Sequence, residues 1–191
     1  MELIHSDVWT SPIRSISGYK YYVIFIDNFS RYVWLYPMRL KSDVFIIFKT
    51  FKSLVENMFS TTIKSLQTDG GGEYVNHQLK DYLNTHGINH RLTCPHHPEQ
   101  NGIVERKHRQ IVDMGLTLLA HASMPTTYWT GAFYTSVYLI NRLPSQSLKF
   151  RVPYSLLFSK TPQYDFLKTF GCACYPYLRP YNSNKLKFRS K

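Results

Sequence analysis

Two acidic residues near the middle of the 191-residue chain, Asp69 and Glu105, constrain its fold more than any other feature. Asp69 follows an apolar run, residues 63–66, which predicts a buried strand, and it opens a glycine-rich turn. Glu105 stands just inside a predicted helix that begins after Asn101-Gly102. Asp7, in a predicted strand near the start of the chain, would complete a cluster of three carboxylates.

Two aspartates and a glutamate on separate elements suit a pair of Mg²⁺ ions. Mg²⁺ prefers hard oxygen ligands and usually takes one or two protein carboxylates, leaving places for water and phosphate. A two-metal site holds its ions about 3.5–4 Å apart and clamps the attacking and leaving oxygens of a phosphoryl displacement. The alternative is that acids are common on surfaces and any three can be grouped afterwards. The sequence context of Asp69 and Glu105 favours the metal site.

Short motifs along almost the whole chain occur in the order typical of one family. They are His5-Ser6-Asp7, FIDNFSRY at 25–32, TDGGGE at 68–73, Cys94-Pro95, QNGIVERK at 100–107, INRLP at 140–144 and FGCACY at 170–175. In these motifs the chain resembles the integrase catalytic core of copia-type long-terminal-repeat retrotransposons.

The resemblance implies a ribonuclease H-like fold and an enzyme that joins a 3′-hydroxyl of retroelement DNA to a target phosphodiester. Asp7, Asp69 and Glu105 take the places of the family's catalytic, metal-binding triad, with Mg²⁺ as cofactor and Mn²⁺ as a substitute. The implied partners are retroelement and target DNA and further copies of the chain, with no membrane. The implied location is the nucleus, reached through a cytoplasmic particle.

The predicted elements alternate between strands and helices. Strands are predicted at 3–8, 19–26, 32–36, 63–66 and 88–92, and helices at 42–58, 76–86, 101–122 and 127–141. We therefore expect an α/β fold, a mixed five-stranded sheet flanked by helices. Asp27-Asn28, between two strands, indicates a hairpin turn rather than a ligand. Ser42 is the predicted cap of the first helix, whose apolar stripe is Val44, Phe48, Phe51, Val55 and Met58, with Ile47 and Leu54 alongside.

The positive charge is concentrated at the end of the chain. Of a net charge of +11, residues 142–191 carry ten Lys/Arg against one acid, Asp165. Ten Phe and Tyr residues are interspersed there, a composition that suits a polyanion with stackable bases. We expect a catalytic core at 1–141 and a truncated, basic, aromatic-rich C-terminal extension at 142–191. The alternative is a solubilising or disordered tail.

The helix predicted at 101–122 carries the candidate DNA contacts Asn101, Arg106, Lys107 and Arg109. Its predicted inward stripe is Val104, Ile111, Gly115, Leu118 and Ala122. An ordinary solvated face is the alternative for its basic residues, and Glu105 is placed to pair with Arg109 at i+4.

The cysteines give little support to a metal or disulfide framework. Three cysteines make an odd number, which favours a reducing compartment. Cys94, His96 and His97 lack the second ligand pair of a structural zinc site, and Cys172 and Cys174 are interpreted as packed thiols. No apolar run approaches the ~20 residues of a membrane span, and acids interrupt the start of any secretion signal.

Two other functions remain open at this point. One is a catalytically silent, nucleic-acid-binding remnant, because the chain starts at the first strand without the family's zinc-binding module and stops within the extension. We therefore expect a piece of a longer polyprotein. The other is a cellular nuclease of the same fold, which the motifs in the extension disfavour.

Overall fold

A computed structural model describes residues 1–93 and 102–175. The strands are β1 (Ile4–Thr10), β2 (Tyr21–Asp27), β3 (Val33–Met38), β4 (Ser65–Thr68) and β5 (Asn89–Leu92). The helices are α1 (Val44–Phe59), α2 (His77–Thr85), α3 (Gly102–His121), α4 (Trp129–Ile140) and α5 (Pro153–Phe158), with 3-10 turns at Lys41–Asp43, Thr126–Tyr128 and Gln146–Leu148. Within these ranges, no helix has both the length and the apolar character needed to cross a membrane.

The five strands form one mixed sheet in the order β3-β2-β1-β4-β5, which confirms the predicted architecture. Strands β1, β2 and β3 pair antiparallel, and the β2–β3 pair is the predicted hairpin. Strand β1 pairs parallel with β4, and β4 pairs parallel with β5. The two halves of the chain therefore meet at β1, the central strand, which carries Asp7.

Strand β2 shows why the sheet is covered on both faces. Its residues 22–26 are fully buried and all apolar or aromatic, and successive side chains point to opposite faces. Val23 and Phe25 pack in the cluster with α1 and α2, whereas Tyr22, Ile24 and Ile26 pack with α3 and α4.

Helix α1 departs from its prediction at both ends. Ser42 is not its cap: it lies inside the 3-10 turn, and the Asp43 carboxylate accepts a hydrogen bond from the backbone N–H of Leu40. Met58 is 51% exposed and Leu54 44% exposed, so the buried stripe stops at Val55.

Helices α3 and α4 approach closely at Gly115. A Cβ atom built there would lie 2.4 Å from Cδ1 of Phe133, so only glycine fits. On α3 the fully buried leucine is Leu119 rather than the predicted Leu118. The predicted inward residues of α4, Trp129, Phe133, Val137 and Ile140, are all buried.

The described part of the extension, 142–175, packs against the core. Phe158 of α5 contacts the rings of Tyr32 and Phe59, and Phe170 packs against the α3–α4 cluster. The predicted helices end at residue 141 and do not include α5, which begins at Pro153, a residue that is tolerated in the first turn of a helix. The packed-thiol interpretation is wrong, since Cys172 and Cys174 are exposed. The boundary at residue 141 stays a prediction.

Candidate active site

Asp7 lies on β1, and Asp69 directly follows the neighbouring parallel strand β4. The register pairs Ile4 with Leu66 and His5 with Gln67, and continuing it by two residues brings Asp69 beside Asp7, whose charge acts on it. The Asp7 side chain is 18% exposed, and its Oδ1 accepts a hydrogen bond from the N–H of Val8 at 2.8 Å. The topology therefore brings together two acids that stand far apart in the sequence.

The environment of Asp69 disfavours its charged form. Burial is the main cause of its raised pKa, and the negative charges of Asp7 and Glu73 act in the same direction. A hydrogen bond from the N–H of Gly71 to Oδ1, at 3.1 Å, and the charge of Lys41 oppose the shift. A bound cation would relieve this repulsion between carboxylates.

The glycine-rich turn is tight at only one of its three glycines. A Cβ atom on Gly71 would lie 2.9 Å from Oε2 of Glu73 and 3.0 Å from Oδ1 of Asp69. Built Cβ atoms on Gly70 and Gly72 meet no atom of the described residues within 4 Å. Gly71 therefore lets the backbone pass close to the acids. Glu73 itself forms an ion pair with Lys41 at 2.9 Å.

Buried hydrogen bonds support the two strands from beneath. The Ser6 and Tyr74 hydroxyls lie 2.7 Å apart, and burial raises the pKa of Tyr74 well above its usual value. The Thr68 hydroxyl lies 2.9 Å from Nε2 of His90 on β5. These contacts fix the strands that carry Asp7 and Asp69.

His108 of α3 contacts Asp7 and was missed by sequence analysis. Its Nε2 lies 3.5 Å from Oδ2 of Asp7, and its Nδ1 lies 2.9 Å from the hydroxyl of Tyr22. The residue is buried, and burial together with the charge of Asp7 raises the pKa of Tyr22. The signal in the sequence was a histidine four residues after Val104 and three before Ile111, on an otherwise apolar helix stripe.

Glu105 lies one turn before His108, in the first turn of α3, and its side chain is exposed. No ion pair joins it to Arg109, so the predicted i+4 pair is absent. Within 1–93 and 102–175, no three His, Cys, Asp or Glu side chains lie close enough together to hold a metal ion. The role of Glu105 as the third ligand stays a prediction.

The donor set nevertheless fits magnesium. Asp7 and Asp69 supply hard carboxylate oxygens, and one or two such groups are what Mg²⁺ usually takes from a protein. Burial and repulsion from the charges of Asp7 and Glu73 raise the pKa of Asp69, and a cation bound here would stabilise its charged form. In the described residues, the groups that would hold the ion are therefore Asp7 and Asp69.

The predicted DNA contacts divide into separate groups. Arg106 and Lys107 line a pocket of about 350 Å³ together with Arg31, which sequence analysis did not select. Arg109 is exposed and does not line that pocket. Asn101 lies outside the described residues, as do Cys94, His96 and His97 of the zinc alternative.

Asp27 has a structural role, as its turn chemistry predicted. It is 5% exposed, and its Oδ2 accepts hydrogen bonds from both the N–H and the hydroxyl of Ser30. Its carboxylate is therefore occupied in closing the turn between β2 and β3.

Comparison with known proteins identifies the class to which this fold and site belong. The family model described as the integrase core domain matches residues 1–98, a range that includes Asp7 and Asp69. The chain belongs to the integrase core domain family. The resemblance inferred from its motifs is confirmed.

Curated proteins similar to this chain include polyproteins of plant transposons. Over all 191 residues the chain is 59% identical to the retrovirus-related Pol polyprotein from transposon RE2 of Arabidopsis thaliana, and 56% identical to that from transposon RE1. It is 38% identical to the Pol polyprotein from transposon TNT 1-94 of Nicotiana tabacum. The chain spans 13%, 13% and 14% of the lengths of these three relatives.

Solved structures establish the fold. A chain of the simian T-cell lymphotropic virus intasome, in complex with PP2A regulatory subunit B56 gamma, superposes with a TM-score of 0.67 at 14% identity. That match covers 99% of this chain and 66% of the other. The magnesium complex of the HTLV-2 integrase catalytic core domain, in its trimeric form, gives a TM-score of 0.59 at 14% identity over 81% and 95%. The predicted ribonuclease H-like fold is confirmed.

Proposed function

We propose that this chain is the catalytic core of a metal-dependent polynucleotidyl transferase that joins 3′ ends of retroelement DNA to target DNA. The observation that carries the proposal is that Asp7 on β1 and Asp69 at the end of the parallel strand β4 lie close enough for their charges to interact. Family membership supports a role in DNA integration. The solved relative in complex with magnesium supports the use of a divalent ion.

In the proposed reaction, a 3′-hydroxyl oxygen attacks a target phosphorus, the bond from that phosphorus to its own 3′-oxygen breaks, and the hydroxyl proton leaves to solvent. Asp7 on β1, Asp69 directly after β4 and Glu105 on α3 are the residues that would hold Mg²⁺. Bound Mg²⁺ would lower the pKa of the attacking hydroxyl and stabilise the charge that develops on the leaving oxygen. His108 acts through Asp7 as a positioning residue, because its ring spans the gap between that carboxylate and Tyr22.

We further propose that DNA is bound mainly through its phosphates, with contacts from Asn101, Arg106, Lys107 and Arg109, so that target choice is loose. The active assembly is a homo-oligomer acting on chromosomal DNA in the nucleus after transit in a cytoplasmic particle. Structural relatives described as an intasome and as a trimeric form support an assembly of several copies.

A strand-transfer assay with the 191-residue chain tests the proposal. The substrates are a labelled duplex carrying a retroelement terminus and a supercoiled plasmid, with Mg²⁺, with Mn²⁺ and with EDTA. We expect labelled DNA to become joined to the plasmid in the presence of either ion and not with EDTA. A folded chain that binds the plasmid but neither nicks nor joins it with either ion would identify a catalytically silent nucleic-acid-binding remnant instead.

A further inference from the structure

We propose that the pocket formed by Arg31, Arg106 and Lys107 is a phosphate-binding site, separate from the carboxylates, that holds a backbone phosphate of DNA. It is called here the basic pocket. The inference rests on the proposed function for the identity of its ligand, whereas the pocket itself rests on geometry and charge.

Three separate chain segments build the basic pocket. Arg31 comes from the turn between β2 and β3, Arg106 and Lys107 from the start of α3, and Ser145 and Ser147 from the segment after α4. The volume of about 350 Å³ equals roughly twelve water molecules at about 30 Å³ each, enough for a phosphate and part of a sugar. The serine hydroxyls, 2.9 Å apart, add neutral hydrogen-bonding groups at the rim.

The position of Arg31 is fixed before any ligand arrives. Its backbone has φ +59°, an uncommon value for a residue with a side chain, and its N–H donates to the carbonyl of Asp27 at 2.9 Å. Its Nη1 donates to Oδ1 of Asn28 at 3.2 Å, and the same oxygen lies 2.9 Å from Nε2 of His5. A guanidinium held in this way loses little conformational freedom on binding an anion.

Within the described part of the chain, the cations of the basic pocket form no ion pair, and the one acid whose charge acts on Arg31, Asp27 in the same turn, is already occupied by Ser30. No Asp or Glu of residues 1–93 or 102–175 lies within ion-pair distance of Arg31, Arg106 or Lys107. Burial and the charge of Arg31 lower the pKa of Lys107 to about 8. Burial also lowers the pKa of Arg31, an effect that the charge of Asp27 opposes and that of Arg106 increases. The cations therefore repel one another at a helix N-terminus, where the helix dipole already favours an anion.

The chemistry of the three groups selects phosphate. Guanidinium groups bind phosphate oxygens through paired N–H donors, and an ammonium supplies a compact point charge beside them. Arg106 directly follows Glu105, so the basic pocket and the predicted third carboxylate lie at the same end of α3. Arg109, which lies outside the pocket, is not required for this contact.

Duplex binding at several salt concentrations, in EDTA, tests the basic pocket without any metal chemistry. The full chain is compared with Arg31→Gln, Arg106→Gln and Lys107→Gln by fluorescence anisotropy of a labelled duplex. Lys64→Gln is the matched control, because it removes the same charge from a lysine already paired with Glu2 at 2.6 Å. Circular dichroism checks that each variant is folded. If Arg31→Gln disturbs its turn, Arg106→Gln and Lys107→Gln decide the test.

Each pocket variant is expected to reduce the magnitude of the log–log salt slope by about one, the value for one lost phosphate contact, while Lys64→Gln leaves it unchanged. Inorganic triphosphate is tested in parallel by its effect on the melting temperature. Unchanged slopes, with a triphosphate-induced stabilisation lost only in the pocket variants, would assign the pocket to a free polyphosphate and overturn the DNA assignment. Unchanged slopes and unchanged stabilisation would overturn the site altogether.

The outcome is independent of strand transfer. A chain that lacks strand-transfer activity but shows the slope change keeps the basic pocket and loses the proposed function. A chain that transfers strands with unaltered slopes in the pocket variants keeps the function and loses the basic pocket.

Discussion

The imidazole Nε2 of His108 lies 3.5 Å from Oδ2 of Asp7, across the interface between α3 and β1. The other ring nitrogen lies 2.9 Å from the Tyr22 hydroxyl, so the ring is fixed from the sheet side. Through this contact the helix that carries Glu105 is positioned relative to the strand that carries Asp7.

Replacing Tyr22 with phenylalanine should lower stability by about 1–3 kcal/mol, because Nδ1 of His108 loses its partner in a buried position. Urea denaturation measures the change. Tyr19→Phe is the matched control, since its ring lies at the edge of the same cluster. If Tyr22→Phe matched the parent in stability, the Tyr22–His108 hydrogen bond would contribute nothing to the α3–β1 interface.

Asn141 joins the end of α4 to the first residue of β3. Its Oδ1 accepts from the N–H of Val33 and its Nδ2 donates to the carbonyl of Val33, both at 2.8 Å, and the residue is 1% exposed. Asn141→Ala should cost about 1–3 kcal/mol for each buried backbone group left unpaired. Asn141→Asp, which keeps the acceptor, should retain the bond from the Val33 N–H. Equal stability of Asn141→Ala and the parent in thermal melts would contradict this role.

His90 should make stability fall on mild acidification. Burial lowers its pKa below the usual 6.5, so between that value and its folded-state pKa the unfolded chain binds more protons. The stability that comes from keeping His90 neutral is therefore fully present above about pH 6.5 and is lost as the pH falls. The free energy of unfolding can fall by at most about 1.4 kcal/mol per pH unit for this one group. His90→Gln should show a shallower decline by urea denaturation. Parallel curves for the two proteins would exclude His90 as the cause.

The basic residues of the extension should divide into packing and binding groups. The Arg142 guanidinium lies 3.5 Å from the centre of the Tyr138 ring and 4.7 Å from that of Tyr154, so Arg142→Gln should cost about 0.5–1 kcal/mol of stability. Replacing Lys185, Lys187 and Arg189 together with glutamine should instead flatten the salt dependence of duplex binding by up to about three units. A flattened slope with Arg142→Gln alone, or none with the triple variant, would contradict the division.

Much of the fold followed from local patterns, because alternating and helical periodicities determine which faces are buried. The strands began and ended within about two residues of their predicted positions. What local patterns could not supply was pairing: the parallel β1–β4 register that brings Asp69 beside Asp7 is a tertiary property. The same holds for Arg31. Its sequence neighbourhood indicates a turn, and only the folded chain places its charge beside those of Arg106 and Lys107. The contact between α3 and Asp7 is made by His108, the one polar side chain among the buried residues of that helix. A search for apolar periodicity passes over a histidine at such a position.

The most direct test of the central claim is strand transfer by carboxylate variants with Mg²⁺. Asp7→Asn, Asp69→Asn and Glu105→Gln should each lose more than about a hundredfold in rate with the fold intact, exceeding the 10–100-fold typical of residues that only support a ligand. Glu73→Gln is the matched control: Glu73 acts on Asp69 only through its charge and is paired with Lys41, and its variant should stay within about tenfold of the parent. Asp27→Asn should also retain activity, because that carboxylate closes a turn. An Asp69→Asn protein as active as the parent would contradict the assignment of the metal-binding carboxylates.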